Sequence, residues 1–125
     1  MDRELHLKVT LRIYSDDNYR CFCPGIATLL RRVEEYHSLR AAAASMEMAY
    51  SKAWRIIRTA ESVFGCKMLH STIGGAHGGG AVLTPEAERL LEAYEAYCAD
   101  VGAYAQGRFE EMFRFYRELR QDGAG

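Results

Sequence analysis

Apolar residues recur along the chain first at every second position and later at every third or fourth. Between residues 5 and 14 the side chains alternate without a break, with leucine, valine or isoleucine at each odd position. Alternation of this length predicts a half-buried β-strand over residues 5–14. Residues 15–18 have turn-forming chemistry, so residues 19–22 are predicted to return as a short hairpin partner.

Three helices are predicted to follow this hairpin. A Pro-Gly pair opens the first, over residues 24–36, where apolar residues recur at spacings of three and four. Ser38 is a favourable N-cap for a second helix over residues 39–45, which contains four consecutive alanines. A third helix, over residues 49–64, is expected to end at Gly65. The second and third helices, joined by about three residues, have the spacing of a helix-turn-helix.

The remaining pattern predicts a hairpin and a long helix. Residues 66–84 contain two short strand-like runs on either side of a glycine-rich tip. Thr84 and Pro85 then form a strong helix start. Beyond them apolar residues recur at near-heptad spacing, as on a helix that packs along a partner. Gly102 and Gly107 each cost about 1 kcal/mol in a helix interior, so a kink or break is expected near them.

The predicted fold class is mainly α with a small β component, a winged helix-turn-helix with a long C-terminal dimerisation helix. Residues 1–84 would form the DNA-binding domain, with an N-terminal strand, three helices and a wing over residues 66–84. Residues 85–121 would form one long helix or two helices for dimerisation. Residues 122–125 would be a disordered tail.

Composition is that of a soluble globular protein with one domain. The chain has 125 residues, of which 49% are hydrophobic and 26% charged. No apolar stretch approaches the roughly 18–20 residues needed to span a bilayer, and the N-terminus has no apolar signal region. We therefore expect a cytoplasmic protein without membrane contact.

The cysteines and other reactive residues point to no catalytic or metal chemistry. Cys21 and Cys23 form a close pair, but nothing nearby supplies two further ligands at zinc-site spacing. No serine, cysteine or histidine has a nucleophile setting, and no acid pair is placed for general acid–base work. We expect no enzymatic activity, no metal and no cofactor. A small sensor in which Cys21 and Cys23 bind metal or oxidise stays a weaker alternative.

Charge is distributed unevenly although the formal net charge is only −1. Residues 38–84 carry five basic and two acidic side chains, whereas residues 85–125 carry five basic and nine acidic ones. A basic centre and an acidic C-terminal part are compatible with a DNA-reading half joined to a segment that faces elsewhere.

Candidate DNA-contacting residues lie on the outward side of the third helix, at the start of the second helix and in the wing. A helix fits the major groove, where arginine can bond guanine in two places and lysine can neutralise phosphate. Tyr50 and Trp54 are expected to pack more than to stack on bases. The predicted DNA-binding set is Ser38, Arg40, Tyr50, Ser51, Lys52, Arg55, Arg58 and His77.

Several separated segments resemble one known family. Residues 25–30, 38–43, 48–55 and 78–86 look like the N-terminal DNA-binding domain of ModE-type molybdate-responsive regulators, which is related to the domain that opens LysR-type regulators. The resemblance covers roughly residues 5–95. It implies a dimeric winged helix in which residues 50–58 read DNA and a long helix forms the dimer interface.

Three departures from the family pattern limit what the resemblance implies. The chain ends at Gly125, so we expect the molybdate-binding domains of longer members to be absent and assume no oxyanion ligand. A separate effector-binding protein is a possible partner. The wing carries only His77 among its glycines, where the family often has basic residues. Glu47 occupies a turn position usually held by glycine, which would require an unusual backbone angle and place a charge near DNA.

The predicted function is a sequence-specific transcriptional regulator that binds a palindromic operator in double-stranded DNA as a homodimer. The alternative is a winged-helix module that dimerises or binds a partner protein and does not itself bind DNA. The near-neutral charge, the uncharged wing and Glu47 favour that alternative. The predicted dimer interface follows the apolar rows of the last helix, namely Leu91, Tyr94, Cys98, Val101, Ala105, Met112, Phe115 and Leu119.

Overall fold

The computed structural model describes residues 4–72 and 80–119 and confirms a mainly α fold with a small β component and a long helix after the wing. Two antiparallel pairs of short strands, β1–β2 and β3–β4, accompany four helices. In chain order the elements are β1 (Ile13–Tyr14), β2 (Arg20–Phe22), α1 (Pro24–Tyr36), α2 (Leu39–Ser45), α3 (Tyr50–Phe64), β3 (Leu69–Thr72), β4 (Gly80–Leu83) and α4 (Pro85–Met112).

Local capping chemistry sets the bounds of the first three helices, which agree with the predicted ones to within one residue. Pro24 occupies the first turn of α1, where its missing N–H leaves no hydrogen bond unmade. The Ser38 hydroxyl accepts a hydrogen bond from the Ala41 N–H at 3.0 Å and so caps α2. Gly65 ends α3 with a φ of 70°, a left-handed conformation that favours glycine.

The turn between α2 and α3 is tight. The N–H groups of Glu47 and Met48 donate to the carbonyls of Ala44 and Ala43, at 3.0 and 2.9 Å. Glu47 adopts a φ of 54°. The expectation of an unusual backbone angle at this residue is confirmed.

The core lies between α1, α2, α3 and the start of α4. The fully buried aliphatic residues on α1 and α3 recur at helical spacing, and small alanines on α2 let the helices approach closely. Phe22 of β2 is 1% exposed and packs against the rings of Phe64 and Tyr94, with centroids 6.2 and 4.9 Å away. These contacts fix β2 against α3 and α4.

The wing strands pair in the register Leu69↔Leu83 to Thr72↔Gly80. A Cβ atom at Gly80 would lie 2.4 Å from the His37 carbonyl oxygen, so only glycine fits there. The next residue, Ala81, donates its N–H to the same carbonyl at 3.0 Å. The wing is therefore joined directly to the end of α1.

The predicted N-terminal strand is much shorter than expected. Only Ile13 and Tyr14 form a strand, and residues 4–12 form none. The side chains of Leu5, Leu7 and Val9, predicted to be half-buried, are 47%, 36% and 41% exposed. The physical reason is that β2 has three residues and pairs only with β1, so in the described part of the chain residues 5–12 have no strand beside them.

The expected break in the last helix does not occur. Helix α4 continues through Gly102 and Gly107 to Met112. Neither glycine has a neighbour within 4 Å of where a Cβ atom would lie, so neither is required by packing. Their helix-propensity cost of about 1 kcal/mol each is not enough to end a helix of 28 residues.

Two compact units share α4. One unit runs from Thr10 to Glu95 and contains the helix-turn-helix and the wing. The other combines described residues 4–9 with residues 96–119. In this second unit the Leu7 N–H donates to Gln106 Oε1 at 3.3 Å, and Arg117 binds Glu4 at 2.7 Å.

Candidate nucleic-acid interface

Helix α3 divides its side chains sharply between the core and solvent. Ala53, Ile57 and Ala60 are fully buried, because residues three and four apart lie on one face of a helix. Four of the predicted DNA-binding residues lie away from this face and are exposed. They are Ser51, Lys52, Arg55 and Arg58.

Two aromatic rings hold two of the cations in place. The guanidinium carbon of Arg40 lies 4.1 Å from the centre of the Tyr50 ring, and that of Arg58 lies 5.5 Å from the Trp54 ring. The two rings pack edge to face, with centroids 6.3 Å apart. Exposed cation–π contacts contribute about 0.5–1 kcal/mol each. The rings therefore restrict both arginines while their N–H groups stay exposed.

One side of α3 faces the wing. A groove of about 430 Å³ lies there, between the α2–α3 pair and the wing strands. Ser38, Arg40 and Tyr50 line one wall, and Ser71 and Ala81 are among the residues of the other. Because the Ser38 hydroxyl already caps α2, its first role is structural. His77 lies outside the described residues.

The opposite side of α3 faces the β1–β2 hairpin, which the sequence did not associate with the site. A groove of about 830 Å³ has Ser15, Asp17 and Tyr19 on the hairpin side and Arg55 and Arg58 among its α3 residues. A second groove, of about 470 Å³, is lined by residues of β2 and α3 and brings Arg20 together with Lys52 and Arg55.

The cations on α3 are not neutralised by carboxylates. Within residues 4–72 and 80–119 no ion pair involves Lys52, Arg55 or Arg58. Elsewhere on the surface Arg31 hydrogen-bonds Glu95, which lowers the pKa of that carboxyl group. The α3 cations thus differ from the paired arginine on α1, although Asp17 lines the same groove as Arg55 and Arg58.

Cys21 and Cys23, the close pair in the sequence, lie in β2 and at the N-cap of α1. Cys21 is buried, and burial raises the pKa of its thiol. Cys23 is half-buried. In the described part of the chain, no group of three or more His, Cys, Asp or Glu residues is arranged to hold a metal ion. No helix among the described residues is both long enough and apolar enough to cross a membrane.

The predicted dimer residues differ in how much surface they leave for a partner. Leu91 and Tyr94 are 0% and 7% exposed and belong to the chain's own core. The Tyr94 hydroxyl also donates to the Leu11 carbonyl at 2.7 Å. Further along the chain, Cys98, Val101 and Ala105 are half-buried, whereas Met112, Phe115 and Leu119 are exposed.

Comparison with known proteins agrees with this arrangement. Residues 27–88 match the family described as bacterial regulatory helix-turn-helix proteins of the lysR family. The chain is 36% identical over 96 residues to the molybdenum-pterin-binding protein MopB of Rhodobacter capsulatus, covering 77% of this chain and 33% of MopB. It is 32% identical over 72 residues to the transcriptional regulator ModE of Haemophilus influenzae, covering 58% of this chain and 28% of ModE. The matches span about a third of the length of these curated relatives.

Proposed function

The chain carries a bacterial regulatory helix-turn-helix domain of the lysR family, and from this premise we propose that it is a transcriptional regulator that binds double-stranded DNA sequence-specifically. Helix α3 is the recognition helix, lying in the major groove with its exposed side toward the bases. Helix α2 crosses the backbone, with Arg40 near phosphate. The observation that carries this proposal is the exposed row of cations on α3, namely Lys52, Arg55 and Arg58, none of which forms an ion pair with another described residue.

Arg55 is the side chain proposed to read a base directly. It is exposed near the middle of α3, and it lines both grooves on the hairpin side. Arg58 is held over Trp54, which suits it to a fixed phosphate or base contact. Lys52 acts as a point charge toward phosphate. Ser51 and Tyr50 supply hydroxyls from the first turn of the same helix.

We further propose that the protein binds as a homodimer to a palindromic operator. A surface helix normally shows one apolar stripe, which is buried. In the unit formed by residues 4–9 and 96–119, large apolar side chains instead remain at the surface. Tyr97, Tyr104, Met112, Phe113, Phe115 and Leu119 are each at least 48% exposed. Exposed apolar residues in this number favour a partner surface, and the symmetric partner is a second copy of the chain.

The burial of Leu91 and Tyr94 narrows the proposed dimer surface. Both residues are already buried in the chain's own core, so they hold the start of α4 against that core and leave little surface for a second copy. The surface proposed to contact the second copy begins near Tyr97 and continues to Leu119. Sedimentation equilibrium of a Phe115→Glu variant tests this surface. A monomer is expected, whereas an unchanged dimer would remove Phe115 from the interface.

The experiment that tests DNA binding is selection of operators from random duplex DNA, followed by titration of Arg55→Gln against wild type. Removal of one bidentate base contact should weaken operator binding by about 1–3 kcal/mol, roughly 5–150-fold, and relax the preference at one base pair. Arg89→Gln on the surface of α4 is the matched control for the change in charge. Equal operator affinity of wild type and Arg55→Gln would remove Arg55 from base recognition.

A protein-interaction module that does not bind DNA is the second candidate. It is favoured by Glu47, whose charge lies in the turn before α3, and by the exposed aromatic residues near the C-terminus. Salt dependence separates the two candidates, because phosphate contacts release counterions. Failure of any duplex to bind wild type at low salt would leave the interaction module as the better account.

A further inference from the structure

The β1–β2 hairpin lies beside the recognition helix on the side away from the wing. At about 100° per residue, Tyr50 marks one side of α3, and Lys52 and Thr59 mark another. Tyr50 lines the wing-side groove, whereas Lys52 and Thr59 line the groove shared with β2. Trp54 lines both the wing-side groove and the larger groove on the hairpin side. The exposed row containing Arg58 lies between these two sides, so α3 is flanked by a hairpin on each side.

We propose that the β1–β2 hairpin is a second DNA-contacting flank, in which Arg20 and Tyr19 bind backbone phosphates on the strand opposite the one met by the wing. This inference rests on the proposed function. A helix about 10–12 Å in diameter fills a major groove about 12 Å wide. Its two sides consequently face the two sugar–phosphate backbones, and both flanking grooves meet phosphate.

The chemistry of the hairpin-side groove fits a phosphate. Among the described residues, its walls carry three cations, Arg20, Lys52 and Arg55, and no carboxylate. Tyr19 and Thr59 also line it, but the Thr59 hydroxyl already donates to the Arg55 carbonyl at 3.0 Å. Within the described ranges, Arg20 takes part in no ion pair, and its side chain is exposed. Tyr19 is 61% exposed, which leaves its hydroxyl accessible.

The position of β2 is fixed well enough to support such a contact. Phe22, two residues after Arg20, is buried against Phe64 and Tyr94. Cys21, which lies between Arg20 and Phe22 in the strand, is also buried, and its thiol donates to the Ile13 carbonyl at 3.4 Å. Arg20 therefore projects from a strand anchored in the core. A phosphate contact from such a strand loses less side-chain and backbone freedom than one from a mobile loop.

The acidic tip of the hairpin sets the limit of the proposed contact. Asp16 and Asp17 lie in the turn, and Asp17 accepts a hydrogen bond from the Ser15 hydroxyl. Asp17 also lines the larger groove with Arg55 and Arg58. Two carboxylates repel phosphate, so the backbone is expected to pass along the Arg20 end of β2 and to leave the interface before the tip.

The test is a salt titration of Arg20→Gln on the selected operator and on an unrelated duplex. Loss of one phosphate contact should lower affinity for both duplexes by a similar factor, about 3–10-fold, and reduce the slope of log K against log salt by about 0.9. Arg89→Gln, with the same change in charge on the surface of α4, should keep the wild-type slope. Arg20→Lys should also keep it, and thermal melts of all variants check folding.

The outcomes separate this inference from the proposed function. If Arg20→Gln behaves like Arg89→Gln while Arg55→Gln loses base preference, the hairpin is not in the interface and the proposed function stands. If wild type shows no salt-dependent binding to any duplex, both the hairpin contact and the proposed DNA-binding function are contradicted. A uniform loss with a reduced slope for Arg20→Gln, together with retained slope for Arg20→Lys, supports the second flank.

Discussion

Replacement of Glu47 by glycine tests how the turn of the helix-turn-helix is built. Glu47 has a backbone φ of 54°, and its N–H donates to the Ala44 carbonyl at 3.0 Å. A residue with a Cβ atom loses roughly 1–2 kcal/mol in a left-handed conformation. Glycine avoids that loss, but it also gives the unfolded chain more conformational freedom, which lowers the free energy of unfolding by about 0.4–1 kcal/mol. The net expectation is a stabilisation of about 0.5–1 kcal/mol.

In a chain of 125 residues, this free energy corresponds to a rise in Tm of about 2–5 °C. Glu47→Gln is the matched control, because it removes the same charge and keeps the Cβ atom at the same φ. Its stability should stay within about 0.5 kcal/mol of wild type. Glu47→Asn should give an intermediate Tm, since asparagine tolerates left-handed φ better than most residues.

The same variants separate backbone strain from charge in DNA binding. Glu47 is exposed in the turn immediately before α3, and under the proposed function its carboxylate would lie near approaching phosphates. Removal of an exposed like charge should strengthen binding by a few tenths of a kcal/mol to about 1 kcal/mol, or about 2–5-fold. All three variants lose this charge, so all three should gain affinity equally, and the gain should shrink at high salt.

Thermal melts followed by circular dichroism and anisotropy titrations at about 50 and 200 mM salt provide the two readouts. A Tm for Glu47→Gly at or below that of Glu47→Gln would refute the strain assigned to this turn. An affinity of Glu47→Gln equal to that of wild type at low salt would place the carboxylate away from the DNA.

Two further predictions concern the stability of the helices. Ser38→Ala should lower the free energy of unfolding by about 1 kcal/mol, because the Ala41 N–H loses its partner at 3.0 Å; thermal melts beside the exposed Ser62→Ala control check this. Hydrogen bonding to Arg31 lowers the pKa of Glu95 below its usual value of 4.5, so this pair stabilises the fold above that pH and less as acid protonates Glu95. Urea denaturation of wild type and Glu95→Gln should therefore differ by up to about 1 kcal/mol at neutral pH and converge as the pH falls well below 4.5, and a difference that grows in acid would contradict this.

The helices were predictable because their ends depend on residues close in sequence. Ser38 and Gly65 act within one turn of the helix they cap, and Pro24 acts at its own position. The left-handed angle at Glu47 was predicted from the family resemblance, because the family usually has glycine at this turn position. The capping signals are local, so they required no knowledge of tertiary packing.

The N-terminal strand was predicted too long because alternation shows only which side chains could share a face. It does not supply a neighbouring strand. In the structure β2 pairs with β1 alone, and the exposure of Leu5, Leu7 and Val9 follows from that. Gly102 and Gly107 led to a predicted break that the helix does not have. Their low helix propensity is outweighed because the helix continues on both sides of them.

The exposed cations of α3 that are proposed to face DNA could be predicted from periodicity, whereas the groove beside them could not. Lys52, Arg55 and Arg58 follow from one helix and its buried face. Arg20 reaches the same surface only because Phe22 packs between residues far along the chain, on α3 and α4. No sequence spacing encodes that contact. The sequence therefore predicted the hairpin but not its position beside α3. The proposed nucleic-acid interface, which combines a recognition helix with a distant strand, could therefore be predicted only in part from the sequence, and the part that could not be predicted depends on long-range packing.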